Sequence, residues 1–243
     1  MVRIFMLLDF LADWLVGIYN FRIVAHYLDE FARGLANTLA AAGASLILSV
    51  ALGTLVAGAR LSGTRFLTWP AEAYVQAIRS TPLLLQIYIV YFGLPLLFPA
   101  ALRWPELWLG IVALTIHTAP YMAEIIRSGI QSVERGQIEG AMAVGMTFLQ
   151  RARHVVLPQA FANTLPALLG QTAILVKDTS LLSLITVFDV VAAGMLLNSE
   201  RIRPGEGFLT VAAIYLTIYL ILLVLSQRVQ RTLAGKAWNR NPA

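Results

Sequence analysis

The sequence predicts an all-α integral membrane protein with about five transmembrane helices, and three observations point that way. Of its 243 residues, 58% are hydrophobic and only 13% charged, where soluble domains run close to half apolar and a quarter charged. Mean hydropathy is +0.74. Charge-free apolar runs recur at the length a bilayer demands, about 20 helical residues per crossing. The chain has room for such spans and short loops, and none for a separate soluble enzyme. Cysteine is absent, which removes disulfides, thiolate nucleophiles and Cys-ligated metals. The net charge of +5 reads as Arg and Lys gathered on one side of a membrane, so no nucleic-acid partner is expected.

Taken in order, the opening "MVRIFMLLDFLADWLVGIYN" has the look of a signal peptide, but Asp9 and Asp13 interrupt its apolar part and no clean cleavage site follows. It reads as an uncleaved amphipathic segment near the membrane surface. No charge falls between Arg33 and Arg60, so the first span covers about residues 34–59. Apolar character resumes from Phe66 to Leu97, interrupted by "IRSTP" at 78–82. Further spans are expected over residues 107–127 and 208–227. The region from Gln159 to Asn198 is too long for one crossing at about 1.5 Å per residue, so it holds either two spans or one span joined to a non-spanning piece.

The basic residues choose between these. With five spans and the N-terminus outside, Arg60, Arg65, Arg127, Arg135, Arg151, Arg153, Arg228, Arg231, Lys236 and Arg240 fall inside. Six spans satisfy the positive-inside rule less well. The expected organisation is therefore an amphipathic, periplasmic segment over 1–30, a membrane domain over 31–230 with its fourth helix region broken, and a cytoplasmic tail over 231–243. The bilayer is the chain's first expected partner.

Between the third and fourth spans lies "IEGAMAVGMTFLQRARHVVLPQA", residues 138–160. Ile138 and Met142 share a helix face at i, i+4, beside Ala141 and Val144. Glu139 is placed in a first helical turn, where a carboxylate offsets the positive helix end. Gly145 suits the left-handed residue that stops a helix, and Thr147 with Gln150 reads as a capping box opening a second one. Leu157-Pro158 marks the handover to the next span. The expectation is two short helices set at an angle on the inner face.

The spacing Glu139-Gly140-Ala141, Gly145, Val155-x-Leu157-Pro158 resembles the EAA loop of ATP-binding-cassette (ABC) importer permeases. That pattern reads Glu-Ala-Ala, three residues, Gly, nine residues, Ile-x-Leu-Pro. Gly140 replaces an Ala, weakening the helix by about 1 kcal/mol, and Val155 replaces the Ile. "IRSTPLLLQIYIVYFGLP", "HTAPYMAEIIRSGIQSV", "GQIEGAMAVGM", "VVLPQA" and "LVKDTSLLSLI" follow in the same order and look like the polar-amino-acid branch of that family, which serves histidine, glutamine, glutamate, arginine and opines. The first 30 residues carry no comparable signal.

The resemblance implies a type I ABC importer permease fold. It also implies a coupling helix within residues 136–158, with Glu139, Gly140, Ala141, Gly145, Leu157 and Pro158 engaging a separate ABC ATPase. The chain has no G-x-x-x-x-G-K-[ST] loop of its own, so ATP and Mg are expected on that partner, and no cofactor, metal or catalytic residue here. A second permease copy or paralogue and an extracytoplasmic amino-acid-binding protein complete the expected assembly.

Ionisable groups inside the membrane cost about 2.5–3.5 kcal/mol on the insertion scale and usually have a task. Lys177 and Asp178 interrupt an apolar run; they mark a helix break, or Asp178 meets a ligand ammonium in the pathway. Adjacent residues point apart on a helix, so the two are not expected to pair. Glu124 is either a helix-end carboxylate beside Arg127 or Ser128, or a second pathway carboxylate facing Asp178 or the ligand. His117, seven residues earlier on the same face, reads as a hydrogen-bonded packing residue ahead of a proton carrier.

Arg79 precedes Ser80-Thr81-Pro82, where proline removes a helical hydrogen bond. Freed backbone groups at membrane depth survive only beside protein or a wet cavity. Arg79 and Thr81 are thus candidates for the substrate pathway, Arg79 to hold a substrate carboxylate, with a span-end basic residue as the plainer reading of Arg79. Asn163, Gln171, Asp189 and Asn198 stay unassigned. Small residues near Gly53 and Ala57 suit close helix approach. The alternative class is an ion-coupled secondary amino-acid transporter using Asp178, Glu124 and His117 as a relay, against which no internal repeat of the kind such carriers show is found. An intramembrane enzyme is weaker, since no HExxH, paired metal ligands or Ser/His/Asp set stands out.

Overall fold

The computed structural model describes residues 19–238. Most of the amphipathic segment expected at the N-terminus, and the last residues of the expected tail, lie outside them. Among the described residues every regular element is helical. A short α1 (Phe21–Ala25) precedes α2 (Leu28–Leu61), which begins earlier than the charge-free run because Asp29 and Glu30 occupy its first turn, where carboxylates offset the helix dipole. Hydrophobicity marks where a helix is greasy; capping charge marks where it starts.

The second crossing is the bent pair α3 (Arg65–Arg79) and α4 (Leu83–Tyr88). α4 runs through a π turn (Ile89–Gly93) into α5 (Leu94–Leu97). The second limb is bent 111° away from the first, because Pro82 has no N–H to continue the helix and is itself extended, at φ −63° and ψ 137°. A 3-10 turn (Pro99–Arg103) leads to α6 (Glu106–Gln131), the third crossing. Then come α7 (Arg135–Ala143) and α8 (Phe148–Arg151).

α8 does not end where two angled helices were expected. It passes through a π turn (Ala152–Val156) into α9 (Leu157–Asp178), giving one helical run from Phe148 to Ile185. Pro158 sits at the start of α9, and the wider π turn before it absorbs the donor that proline lacks. Glu139 is likewise not in a first turn, because α7 starts at Arg135 with Glu134 as its N-cap.

The fourth crossing closes with a 3-10 turn (Thr179–Ile185) and stops at Thr186, whose φ is +64°. α10 (Val190–Arg201), at 12 residues, is too short to cross a bilayer, and α11 (Pro204–Trp238) makes the last crossing. Four helices are long and apolar enough to cross a membrane, and the bent pair, taken as one broken span, brings the number to five. The break in the fourth region is therefore a non-spanning helix after a complete span. The boundaries expected at 30/31 and 230/231 fall inside α2 and α11.

Packing inverts the soluble pattern. α2 buries a stripe of small residues, Gly34, Thr38, Ala41, Ser45, Ser49, Gly53 and Ala57, and leaves Ile47 and Leu55 outward. Lipid tails are as apolar as leucine, so helices gain by close contact of small residues. At Gly53 a Cβ would lie 2.7 Å from the Cβ of Met122 and 2.9 Å from the Ala119 carbonyl, so α2 meets α6 backbone to backbone. α10 is held at the end of the bundle where α2 begins. Asn37 Nδ2 donates to the Phe188 carbonyl at 2.8 Å, and Tyr27 Oη donates to Glu200 at 2.6 Å. One core cluster, around Ile87, Leu114, Leu175 and Leu182, fixes the bend against α6 and α9.

Candidate functional site

The break at 78–82 has a complete local account. In an unbroken helix the Ile78 carbonyl would accept from residue 82, which is proline and carries no N–H. The Thr81 N–H and hydroxyl reach that carbonyl at 3.4 Å, and Gln86 supplies the shorter bond: its Nε2 lies 2.8 Å from the Ile78 carbonyl, 3.0 Å from the Thr81 carbonyl and 2.7 Å from Thr81 Oγ1. Thr81 Oγ1 in turn donates to the Ala77 carbonyl at 3.0 Å. The Gln86 side-chain oxygen accepts from His117 Nδ1 at 2.8 Å. His117 is thus a packing residue that ties α6 to the break.

Below the bend, Glu124 on α6 is shared by three guanidinium groups from three helices. Arg60 at the end of α2 donates to its Oε1, Arg127 donates from Nε and Nη2 to its Oε2 at 3.1 and 2.8 Å, and Arg79 at the end of α3 stands 3.8 Å away. The cluster carries a surplus of positive charge. Arg79 is the least committed of the three: its guanidinium also lies over the Tyr121 ring at 5.5 Å. A cavity of about 510 Å³ opens here, lined by Arg79, Glu124, Arg127, Ser128, Ser132 and Asn163 among others. Asn163 Nδ2 donates to Ser132 Oγ at 2.8 Å, joining α9 to the end of α6. Chemically the cavity offers cationic donors and hydroxyls to a small, carboxylate-bearing molecule.

Lys177 and Asp178 stand apart from this cavity. The last α9 residue lining it is Ala167, so Asp178 lies about 16 Å further along the helix axis. Glu124 does not face Asp178, and the hydrogen bond His117 makes is to Gln86. No ion pair joins Lys177 to Asp178; the Lys177 ammonium lies 5.9 Å from the Tyr219 ring centroid on α11. Gln171 is buried, and Asp189 caps α10, accepting from the Ala192 N–H at 2.8 Å.

The 135–156 segment forms an elbow. Gly145 has φ +79°, and the Met146 N–H reaches back to the Ala141 carbonyl at 3.1 Å, the closure that a left-handed residue after a helix allows. Thr147 and Gln150 form a reciprocal capping box. Ala141 packs inward, while Met142, Val144, Phe148 and Leu149 are 49%, 74%, 76% and 74% exposed. Glu139 and Gly140 are exposed and Leu157 is 54% exposed, all on the outside of the elbow or the helix leaving it. Four large apolar side chains thus project from a polar segment with nothing among the described residues to cover them.

Two residues of the site were not singled out from the sequence. Arg60 reads as an ordinary span-end cation, and its pairing across 64 positions leaves no trace in spacing. Gln86 had a signal: it is the lone amide in "LLLQIYIVYFG" and lies four residues after Pro82, the spacing that returns a side chain to the broken turn.

The five-crossing bundle, its bent second span and its projecting elbow place the molecule in the class of type I importer membrane subunits. It superposes on a crystal structure of an amino acid ABC transporter with histidines at a TM-score of 0.79, with 32% identity over 86% of this chain and 96% of that one. The methionine ABC transporter MetNI, in an inward-facing conformation, shares the fold at a TM-score of 0.66 and 19% identity, over 87% of this chain and 96% of that one. The profile of the family described as "binding-protein-dependent transport system inner membrane component" matches residues 49–235. The octopine transport system permease protein OccM of Rhizobium meliloti is 42% identical over 72% of this chain and 76% of its own. The arginine transport system permease protein ArtQ of Bacillus subtilis is 34% identical over 83% and 91%, and the nopaline counterpart NocM of Agrobacterium fabrum is 35% identical over 92% of both. The chain belongs to the family of inner membrane components of binding-protein-dependent transport systems. It is a multi-pass membrane permease subunit, a transport component.

Proposed function

We propose that this permease imports polar amino acids or related compounds such as opines, driven by ATP that a separate ABC ATPase, with its Mg, hydrolyses. The elbow is the observation that carries this reading. Met142, Val144, Phe148 and Leu149 present an apolar surface beside Arg151 and Arg153, and such exposed patches rimmed by polar residues mark protein contacts. Glu139, Gly140 and Ala141 lie on its first limb, Gly145 at its corner, and Leu157 and Pro158 where the second limb becomes the fourth span. Motion of an ATPase gripping the elbow passes along the unbroken helix from Phe148 to Ile185. The N-terminus then lies in the periplasm and the C-terminus in the cytoplasm, with the elbow and most basic residues inside.

The cavity under the bend is the inner part of the pathway. Arg79 receives the ligand carboxylate, with Glu124 holding Arg79 between passages and Thr81 beside it at the bend. Lys177 and Asp178, nearer the other end, meet the ligand earlier. A second permease copy or a paralogue completes the pathway, and an extracytoplasmic binding protein delivers the ligand. ATP and the docked binding protein must supply the conformational bias, because a ligand with equal affinity for both states shifts nothing.

The test is uptake into proteoliposomes holding the permease with its ATPase, given binding protein and radiolabelled arginine, glutamine or octopine. Uptake that needs enclosed ATP supports the reading. Uptake that persists without ATP and follows a proton gradient overturns it.

A further inference from the structure

The broken second span holds a polar side-chain pair that the transport reading does not use. Pro82 denies the Ile78 carbonyl its helical donor, and Thr81 reaches that carbonyl only at 3.4 Å, from its N–H and its hydroxyl. Gln86, four residues after the proline, supplies the shorter bond at 2.8 Å, and its amide also lies within hydrogen-bond distance of the Thr81 carbonyl and hydroxyl. Both hydrogens of its amide are thereby engaged, so its oxygen is left as an acceptor and His117 Nδ1 must be the donor in the bond between them. Gln86 and His117 are both largely buried, and each fixes the other's orientation. The chain Ile78/Thr81–Gln86–His117 thus runs from the break to α6, two helical turns above Glu124 on the same face.

Arg79 and Thr81 sit inside the stretch this chain spans. A helix broken at proline alone has no fixed bend; here the bend of 111° is held by the reach of Gln86. Tyr74, whose hydroxyl donates to the Ile116 carbonyl at 2.7 Å, ties the other limb to the residue before His117. Both limbs of the bend are therefore referenced to one place on α6.

We propose that Gln86 and His117 are positioning residues for transport, replacing the donor that Pro82 lacks and so holding Arg79 and Thr81 at the pathway. The proposal rests on the reading that Arg79 and Thr81 line that pathway. Neither positioning residue touches the ligand; each acts through the geometry of the break.

Two measurements on the complete transporter in proteoliposomes decide it. Uptake kinetics with radiolabelled arginine, glutamine or octopine, whichever is transported fastest, compare wild type, His117→Ala and His117→Asn. The Asn amide places an N–H close to where Nδ1–H stood. His117→Ala raises KM about tenfold, the scale of one lost buried hydrogen bond, with the maximal rate little changed, and His117→Asn recovers most of the loss. In parallel, spin labels at Ala73→Cys and Phe92→Cys, in a chain that has no cysteine of its own, report the distance across the bend.

That distance distribution is single and narrow in wild type and His117→Asn, and broad in His117→Ala and Gln86→Met. Unchanged KM and unchanged distances in His117→Ala overturn the proposal, as does a fall in maximal rate alone, or an Asn variant no better than Ala. If the wild type shows no ATP-driven uptake, the transport reading fails instead, and the spin-label distances still decide whether the pair holds the bend.

Discussion

Replacing Glu124 by Gln keeps the side chain's shape and removes the one negative charge that three arginines share. In the native cluster Oε2 accepts two hydrogen bonds from Arg127 and Oε1 accepts one from Arg60. An amide offers one acceptor oxygen and one donor nitrogen, so either Arg60 or Arg127 is left facing an N–H. Hydrogen bonds to charged groups contribute about 1.5–3 kcal/mol each. The Glu124 side chain is 23% exposed, so solvent screens part of that. The expected loss is about 2–3 kcal/mol, below the about 3–5 kcal/mol of a fully buried pair. At about 2–4 °C per kcal/mol for a chain of this size, the thermal unfolding midpoint in detergent falls by about 5–10 °C. Glu124→Asp, which keeps the charge but withdraws it by one methylene, falls less. A Glu124→Gln midpoint within about 1 °C of wild type would mean that the cluster is solvated display, and the reasoning from its geometry fails.

Three further variants probe the rest. Gly145→Val disconnects ATP hydrolysis from uptake, because a β-branched residue at φ +79° costs about 1–2 kcal/mol, whereas Gly145→Asn tolerates that conformation and transports near normally. Since a Cβ at Gly145 meets nothing within 4 Å, equal activity of the two variants would show that the left-handed turn is dispensable. Gly129→Ala drives a methyl group into Thr164 and to 2.9 Å from the Ala160 carbonyl. It should lower stability by about 1–3 kcal/mol and close the cavity between α6 and α9, read as a lower unfolding midpoint together with lost uptake; an unchanged midpoint would contradict the packing. Asp178→Asn should reduce uptake while leaving co-purification with the ATPase intact, and normal uptake counts against Asp178 in the pathway.

The parts of this molecule that sequence exposes are those that depend on neighbours along the chain. The charge-free run before Arg60, the proline at 82, the glycine at 145 and the Thr147/Gln150 capping box each act within a few residues, and each is found where the pattern puts it. Helix starts are less legible: α2 begins at Leu28, inside a charged stretch, because Asp29 and Glu30 stabilise its first turn. The continuity of α8 into α9 was hidden because Pro158 is read as a breaker, and a π turn that accommodates it has no composition signature. Arg60 meeting Glu124, and Gln86 meeting His117, are matters of which helix faces which, and periodicity on a single helix does not determine that. The separation of Asp178 from Glu124 is the same lesson reversed. Both carboxylates suit a pathway by type, yet the antiparallel run of α6 and α9 puts them at different depths.

The account turns on the elbow of residues 135–156 lying on the inner face, where an ATPase can grip it. The direct measurement is labelling with a membrane-impermeant thiol reagent of single-cysteine variants, which the cysteine-free chain makes unambiguous. Phe148→Cys on the elbow and Arg103→Cys at the opposite end of the bundle are compared in intact and permeabilised cells. Labelling of Arg103→Cys in intact cells, and of Phe148→Cys only after permeabilisation and less so with the ATPase bound, is the predicted result. Labelling of Phe148→Cys in intact cells would set the elbow on the wrong side of the membrane and contradict the account.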